Sequence, residues 1–221
     1  DLERLLSRSI YGSANARDLN AIRETMESVP MLIKALGGKV AGQLSDIRNS
    51  MDPCEALVTE IFNAIAEEPP LSVREGGIIR EGYDKDLDEL RDMAATGSKW
   101  MASQEEGERK RTGIKSLKIK YNKVFGYFIE VGKAHLDKVP EDYIKKQTLS
   151  NSERFITPEL KEREGQILTA NERSTALEYE IFCMIREMVT EHSEQLQATA
   201  RALGQLDSLC SLAELASVHD Y

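Results

Sequence analysis

Lys118, Lys120 and Lys123 stand close together with Asn122 between the last two, and Lys145, Lys146 and Arg154 bracket Ser150-Asn151-Ser152. Ammonium and guanidinium groups interleaved with amides and hydroxyls suit one kind of chemistry, the holding of anionic oxygens. Phosphates along a nucleic-acid backbone are held in this way, with no need to read a base. The same lysines have a plainer use, because charged side chains on exposed strands keep sheet edges from pairing with other chains. The residues alone leave both readings open. Tyr121, Tyr127 and Phe155 do not decide between them, since a small sheet needs aromatic bulk for its own core before any can be used to stack on bases.

Bond-making chemistry finds no comparable support. Gly37-Gly38-Lys39 lacks both the spacing and the hydroxyl of a phosphate-binding loop. His135, His192 and His219 are far apart and outside any metal-ligand spacing, and His192 falls on a helical apolar stripe. Cys54, Cys183 and Cys210 have no neighbouring pattern that would lower a thiol pKa. Acid pairs such as Glu67-Glu68 and Glu105-Glu106 read as solvated helix faces. The expectation is a binding protein with no catalytic, metal or cofactor residues of its own.

At 221 residues, 41% hydrophobic and 30% charged, the chain is long enough and apolar enough for a folded core. No apolar run approaches the roughly 20 residues needed to span a bilayer. No secretory signal opens the sequence, and three scattered cysteines fit a reducing compartment, so the expected location is cytoplasmic. The net charge of -9 argues against nucleic acid until its distribution is read. Residues 114–161 hold ten Lys or Arg against six Asp or Glu, and six of the chain's 13 aromatics. A basic, aromatic-rich segment is set in an acidic, aromatic-poor chain.

The elements that must position this segment are mainly α-helical. Leu19, Ile22, Met26 and Val29 step by three and four, Pro30 opens a short helix through Leu36, and Asp52-Pro53 reads as a cap and first-turn proline for a helix over Leu57, Ile61 and Ile65. Gly76-Gly77 predicts a small hairpin over Val73–Ile79. From Asp84, the residues Leu87, Leu90, Ala94, Gly97, Met101 and Gln104 alternate in the manner of a two-helix seam through residue 111, with little side chain at Ala94 and Gly97. A second long helix from Thr157-Pro158 keeps helical spacing through Leu196 and supplies an antiparallel partner. Between them the period changes to two. Strands are expected over Leu117–Tyr121 and Tyr127–Val131, and shorter ones over Gln147–Leu149 and Arg154–Thr157. The fold class is therefore mainly α, a long antiparallel helical lever carrying a small inserted antiparallel sheet. Residues 1–113 and 158–221 form the helical part and 114–157 the insertion, with both polar turns expected at the sheet's far tip.

Two stretches carry a resemblance: Tyr121-Asn122-Lys123-Val124-Phe125-Gly126-Tyr127-Phe128-Ile129-Glu130-Val131, and Gln147 through Glu162 around Thr148-Leu149-Ser150-Asn151-Ser152-Glu153-Arg154-Phe155. Both are similar to the clamp domain of the MutS family of DNA mismatch-repair proteins, and the likeness extends over nearly the whole chain. It implies a core and lever region with an inserted clamp. In that family a homodimer encircles DNA and the clamps grip the duplex backbone without reading sequence. The positions matching the clamp tips are Lys120, Asn122, Lys123 and Phe125 in the first turn and Ser150 and Asn151 in the second. Many members carry lysine where Ser150 stands. The family's mismatch-reading Phe-x-Glu motif and its ATPase domain have no counterpart here, so ATP and magnesium are expected in a missing part of the parent. A MutL-type repair partner is implied in the same way. The alternative reading is a structural helical spacer that contacts protein and not DNA.

Overall fold

The computed structural model describes residues 1–38, 42–122 and 124–220, and the chain packs as two compact units, Asp1–Tyr83 with Leu177–Tyr221, and Asp84–Ala176.

The first unit is helical. Helix α1 (Leu2–Ile10) is capped by the Asp1 carboxylate, which accepts from the Arg4 N–H at 3.1 Å. Helix α2 (Ala16–Glu27) opens on a reciprocal capping box between Asn15 and Asp18. Its stripe of Leu19, Ile22 and Met26 is fully buried, as the spacing requires. Helix α3 (Val29–Ala35) carries Pro30 in its first turn, and α4 (Gln43–Asn49) and α5 (Glu55–Ala64) follow. The expected cap of α5 is displaced. Asp52 accepts from the Cys54 N–H at 2.9 Å, and this turn leaves Pro53 before the helix with Cys54 as a left-handed N-cap. The expected hairpin over 73–79 is not formed. Gly76 and Gly77 both take positive φ in a turn-rich loop, and Ile79 bridges to Ile65 instead. The Ile78 N–H donates at 2.8 Å to Glu178, a buried carboxylate of α7 (Pro158–Glu191).

The helical spacing expected to run through Leu196 is interrupted. At His192 (φ -90, ψ 15) both the backbone N–H and the ring draw on the Met188 carbonyl, with Nδ1 at 2.8 Å, and α8 (Ser193–His219) starts afresh. Leu196 is buried as its place in the stripe requires. Sequence period registers which face is apolar, but not a one-residue break that leaves the face in phase.

In the second unit α6 (Lys85–Thr112) begins at the Asp84 cap, which accepts from the Leu87 N–H at 2.8 Å, and ends at Gly113 in the left-handed conformation. It runs antiparallel to α7 and meets it at Gly97, where a Cβ would collide with the Ile167 side chain. This is the seam position from which the sequence omits a side chain. Strands β1 (Lys118–Asn122), β2 (Gly126–Gly132), β3 (Ile144–Thr148) and β4 (Ser152–Ile156) make an antiparallel sheet in the order β1-β2-β4-β3. An unforeseen 3-10 helix, Lys133–Lys138, joins β2 to β3. One sheet face carries Ile129, Val131 and Phe155 into a core with Met101, Leu160 and Ile167.

Candidate nucleic-acid interface

Backbone and side-chain bonds from α6 hold the sheet. Glu105 accepts from the Ile119 N–H at 2.8 Å, the Arg109 Nε donates to the Leu117 carbonyl at 2.7 Å, and Arg111 makes a two-pronged bridge to Asp142 at 3.1 Å on each arm. Arg111 also lies 5.5 Å from the Tyr143 ring centre, and the Tyr143 hydroxyl donates to Glu108 at 2.7 Å. The bridge holds the Asp142 carboxyl below its usual pKa, while burial and the Glu108 carboxylate push the Tyr143 phenol up.

On this support, the β1–β2 turn is built by Asn122. Its Oδ1 accepts from the N–H groups of Val124 at 2.8 Å and Phe125 at 3.4 Å, so this amide shapes the turn and is not free to reach outward with that oxygen. Phe125 and Val124 project from the turn, 43% and 81% exposed. Lys120 lies on the sheet face away from the core with its ammonium 2.7 Å from Glu130, still 46% exposed. Lys123 lies outside the described residues. Ser150 and Asn151 are exposed in the β3–β4 turn, closed by the Leu149 N–H on the Ser152 carbonyl at 2.9 Å.

The register separates these residues into two groups and corrects the expectation of a shared tip. Asn122 faces Gly126 at one end of β2, whereas Gly132 faces Ser152 at the other. Six residue steps of β2 therefore divide the turns, about 20 Å along the strand. In a four-strand sheet of order β1-β2-β4-β3 with β2 and β4 antiparallel, two separate hairpins must turn at opposite ends. Lys133 is the residue that sequence reasoning missed. Its N–H donates to the Asn151 carbonyl at 3.1 Å, which sets an exposed lysine beside the second turn. Its only sequence signal was membership of the basic window, because the 3-10 helix that it opens carries no helical or strand period.

Among the described residues no group of three or more His, Cys, Asp or Glu could hold a metal ion. Burial and Asp52 push the Cys54 thiol up to about 11, leaving it protonated and a poor nucleophile at neutral pH. No helix among the described residues is long and apolar enough to cross a membrane.

An antiparallel helix pair that shares one core with a small antiparallel sheet defines a class of helical modules carrying a β element. Residues 82–173 match the family model for MutS family domain IV. The whole chain is 51% identical to the DNA mismatch repair protein MutS of Methanosarcina mazei, 49% to that of Geobacillus kaustophilus and 50% to that of Symbiobacterium thermophilum. In each case the match covers 100% of this chain and 25% of the relative. The chain belongs to the MutS family.

Proposed function

We propose that this chain is a DNA-backbone-gripping segment of a mismatch-repair protein, its sheet acting as a clamp on the duplex. The observation that carries the reading is the match to the DNA mismatch repair proteins along the entire chain, with the local excess of positive charge confined to the sheet-bearing unit. In this reading residues 114–157 are the clamp and the remaining helices are its lever and core. Lys120, Asn122, Lys123 and Phe125 at the first turn and Ser150 and Asn151 at the second meet the backbone, and Asn122 also shapes the first of these turns. The separation of the turns implies that the strands lie along the duplex, because about 20 Å spans roughly six phosphates of one strand at 3.4 Å each. Homodimerisation, a MutL-type partner, a cytoplasmic setting and an ATP- and magnesium-binding domain belong to the parent in the same proposal.

A second reading, that of a helical spacer contacting protein, draws on the pairing of Lys120 with Glu130 and of Lys145 with Glu153, each at 2.7 Å. Charge used up inside the sheet is charge for solubility. Anisotropy of a labelled duplex titrated across salt concentrations separates the two. The clamp reading expects a dissociation constant on the order of 10⁻⁴ to 10⁻⁶ M, with affinity falling steeply as salt rises. Replacing Lys120 and Lys123 by Gln flattens that slope by about one to two, whereas the same change at Lys85 and Lys99 of α6 does not. Absence of salt-dependent duplex binding by the unmodified chain would leave the spacer.

A further inference from the structure

Lys146 belongs by sequence to the second turn, but the structure sends it elsewhere. Lys145 faces Phe155 and Gln147 faces Arg154, so Lys146 is the extra residue of a β-bulge. A bulge turns the side chain of its extra residue out of the regular alternation. Here it sets Lys146 at the rim of a notch of about 190 Å³ on the sheet face opposite the core, beside the β1–β2 turn. Buried Phe128 and Ile156 line it together with exposed Phe125, and Arg154 and Lys161 line it as well.

The charge in this notch is only partly neutralised. Lys146 is exposed and forms no ion pair among the described residues. Lys161 lies 3.1 Å from Glu164 and remains 59% exposed. Arg154 stacks over the Phe128 ring at 4.3 Å and donates from Nη1 to Gln147 at 2.7 Å. Its Nε is buried without a hydrogen-bond partner, 3.9 Å from a Glu130 oxygen whose carboxylate is already bonded to Lys120. Three cations of the notch therefore stand against Glu164 and a Glu130 already shared with Lys120, beside exposed apolar surface at Val124 and Phe125 that the core does not use. A phosphodiester next to a deoxyribose has the same two-part character, one negative charge and an apolar flank.

We propose that this notch seats one sugar–phosphate unit of the DNA backbone, with the phosphate on Lys146, Lys161 and Arg154 and the sugar against Phe125. The inference rests on the clamp reading and adds a point of grip beside the first turn. None of these three cations is among the positions that the family's clamp tips match.

The test is anisotropy of the full chain with a labelled duplex over a range of salt, comparing K146Q, K146Q with K161Q, and F125A. Each charge variant lowers the salt slope by about 0.9, the value for one phosphate no longer neutralised. F125A weakens binding but leaves the slope unchanged, because it removes no charge. K146Q alone guards against misfolding, since the Lys146 side chain has no partner among the described residues to orphan, and each variant is accepted only with an unchanged melting temperature. If K120Q with K123Q flattens the slope and K146Q does not, the notch does not touch DNA and the clamp reading survives. If the unmodified chain binds no duplex, the clamp reading falls and the notch with it. Polyglutamate binding that K146Q abolishes, without duplex binding, would assign the notch to an acidic protein partner and overturn the proposal.

Discussion

Gly126 shows how much of the first turn is decided by one residue. It takes φ +74, and a Cβ there would run into the Glu164 carboxylate of α7. Glu164 is 4% exposed, with one oxygen on Lys161 and the other without a hydrogen-bond partner. Left-handed backbone costs a non-glycine residue roughly 1–2 kcal/mol, and crowding a packed site costs typically about 1–3 more. Gly126→Ala is therefore expected to destabilise the chain by about 2–5 kcal/mol in urea titration. Glu164→Ala in the same chain returns the crowding part and leaves the backbone part. Strict additivity of the two substitutions would mean that the carboxylate simply moves aside. At this scale the sequence is legible in residue type and misleading in role. Asn122 stands out by type, yet its acceptor oxygen is spent on Val124 and Phe125, and Lys120 has a partner ten residues away that only the β1–β2 register supplies.

The elements are more legible than their joints. Long helices announce themselves by a repeated apolar step, and α6 starts where that step starts, at Asp84, whose side chain caps it. Gly97 is legible for the same reason, since an absent side chain on a seam has one geometric meaning. The attachment of the sheet to α6 is not, because Arg111 and Asp142 are 31 residues apart and no local pattern couples them. That bridge gives this joint a pH dependence. Arg111 lowers the Asp142 pKa in the folded chain relative to the unfolded one, so the bridge stabilises above the ordinary carboxylate range. The contribution drains away as pH falls through the lowered value, and nothing is lost on the alkaline side. Asp142 is 52% exposed, so the effect is that of a surface bridge, at most about 1 kcal/mol. Thermal melts of Asp142→Asn should lie below those of the unmodified chain at neutral pH and meet them in strong acid. A gap that persists unchanged into acid would mean that the substitution acts through packing.

At the scale of the whole molecule, composition shows the sign of the asymmetry and the structure shows its mechanical counterpart, two compact units each with its own core. Leu19, Ile22, Met26 and Phe182 are buried in one, and Met101, Ile129, Val131, Phe155 and Ile167 in the other. The residues of α7 are divided between them, Pro158 through Ala176 in the sheet-bearing unit and Leu177 through Glu191 in the helical one. Nothing in the helical spacing marks that division, because a continuous helix carries one period across both. Separate cores predict separate unfolding. Trp100 is the chain's single tryptophan and packs against the core of the sheet-bearing unit, with Arg163 5.5 Å over its ring. Its fluorescence therefore follows that unit, while far-UV ellipticity follows the helices of both. In urea the two signals should give transitions that do not coincide, the signature of failed two-state behaviour. Leu19→Ala empties part of the helical unit's core and should lower that unit's stability by about 2–5 kcal/mol. The tryptophan transition should move by no more than about 0.5 kcal/mol, the additivity limit for sites without shared partners. Coincident transitions that shift together in Leu19→Ala would show that the shared helix fuses the two cores into one cooperative unit, and the sheet could then not be treated as a separately stable clamp.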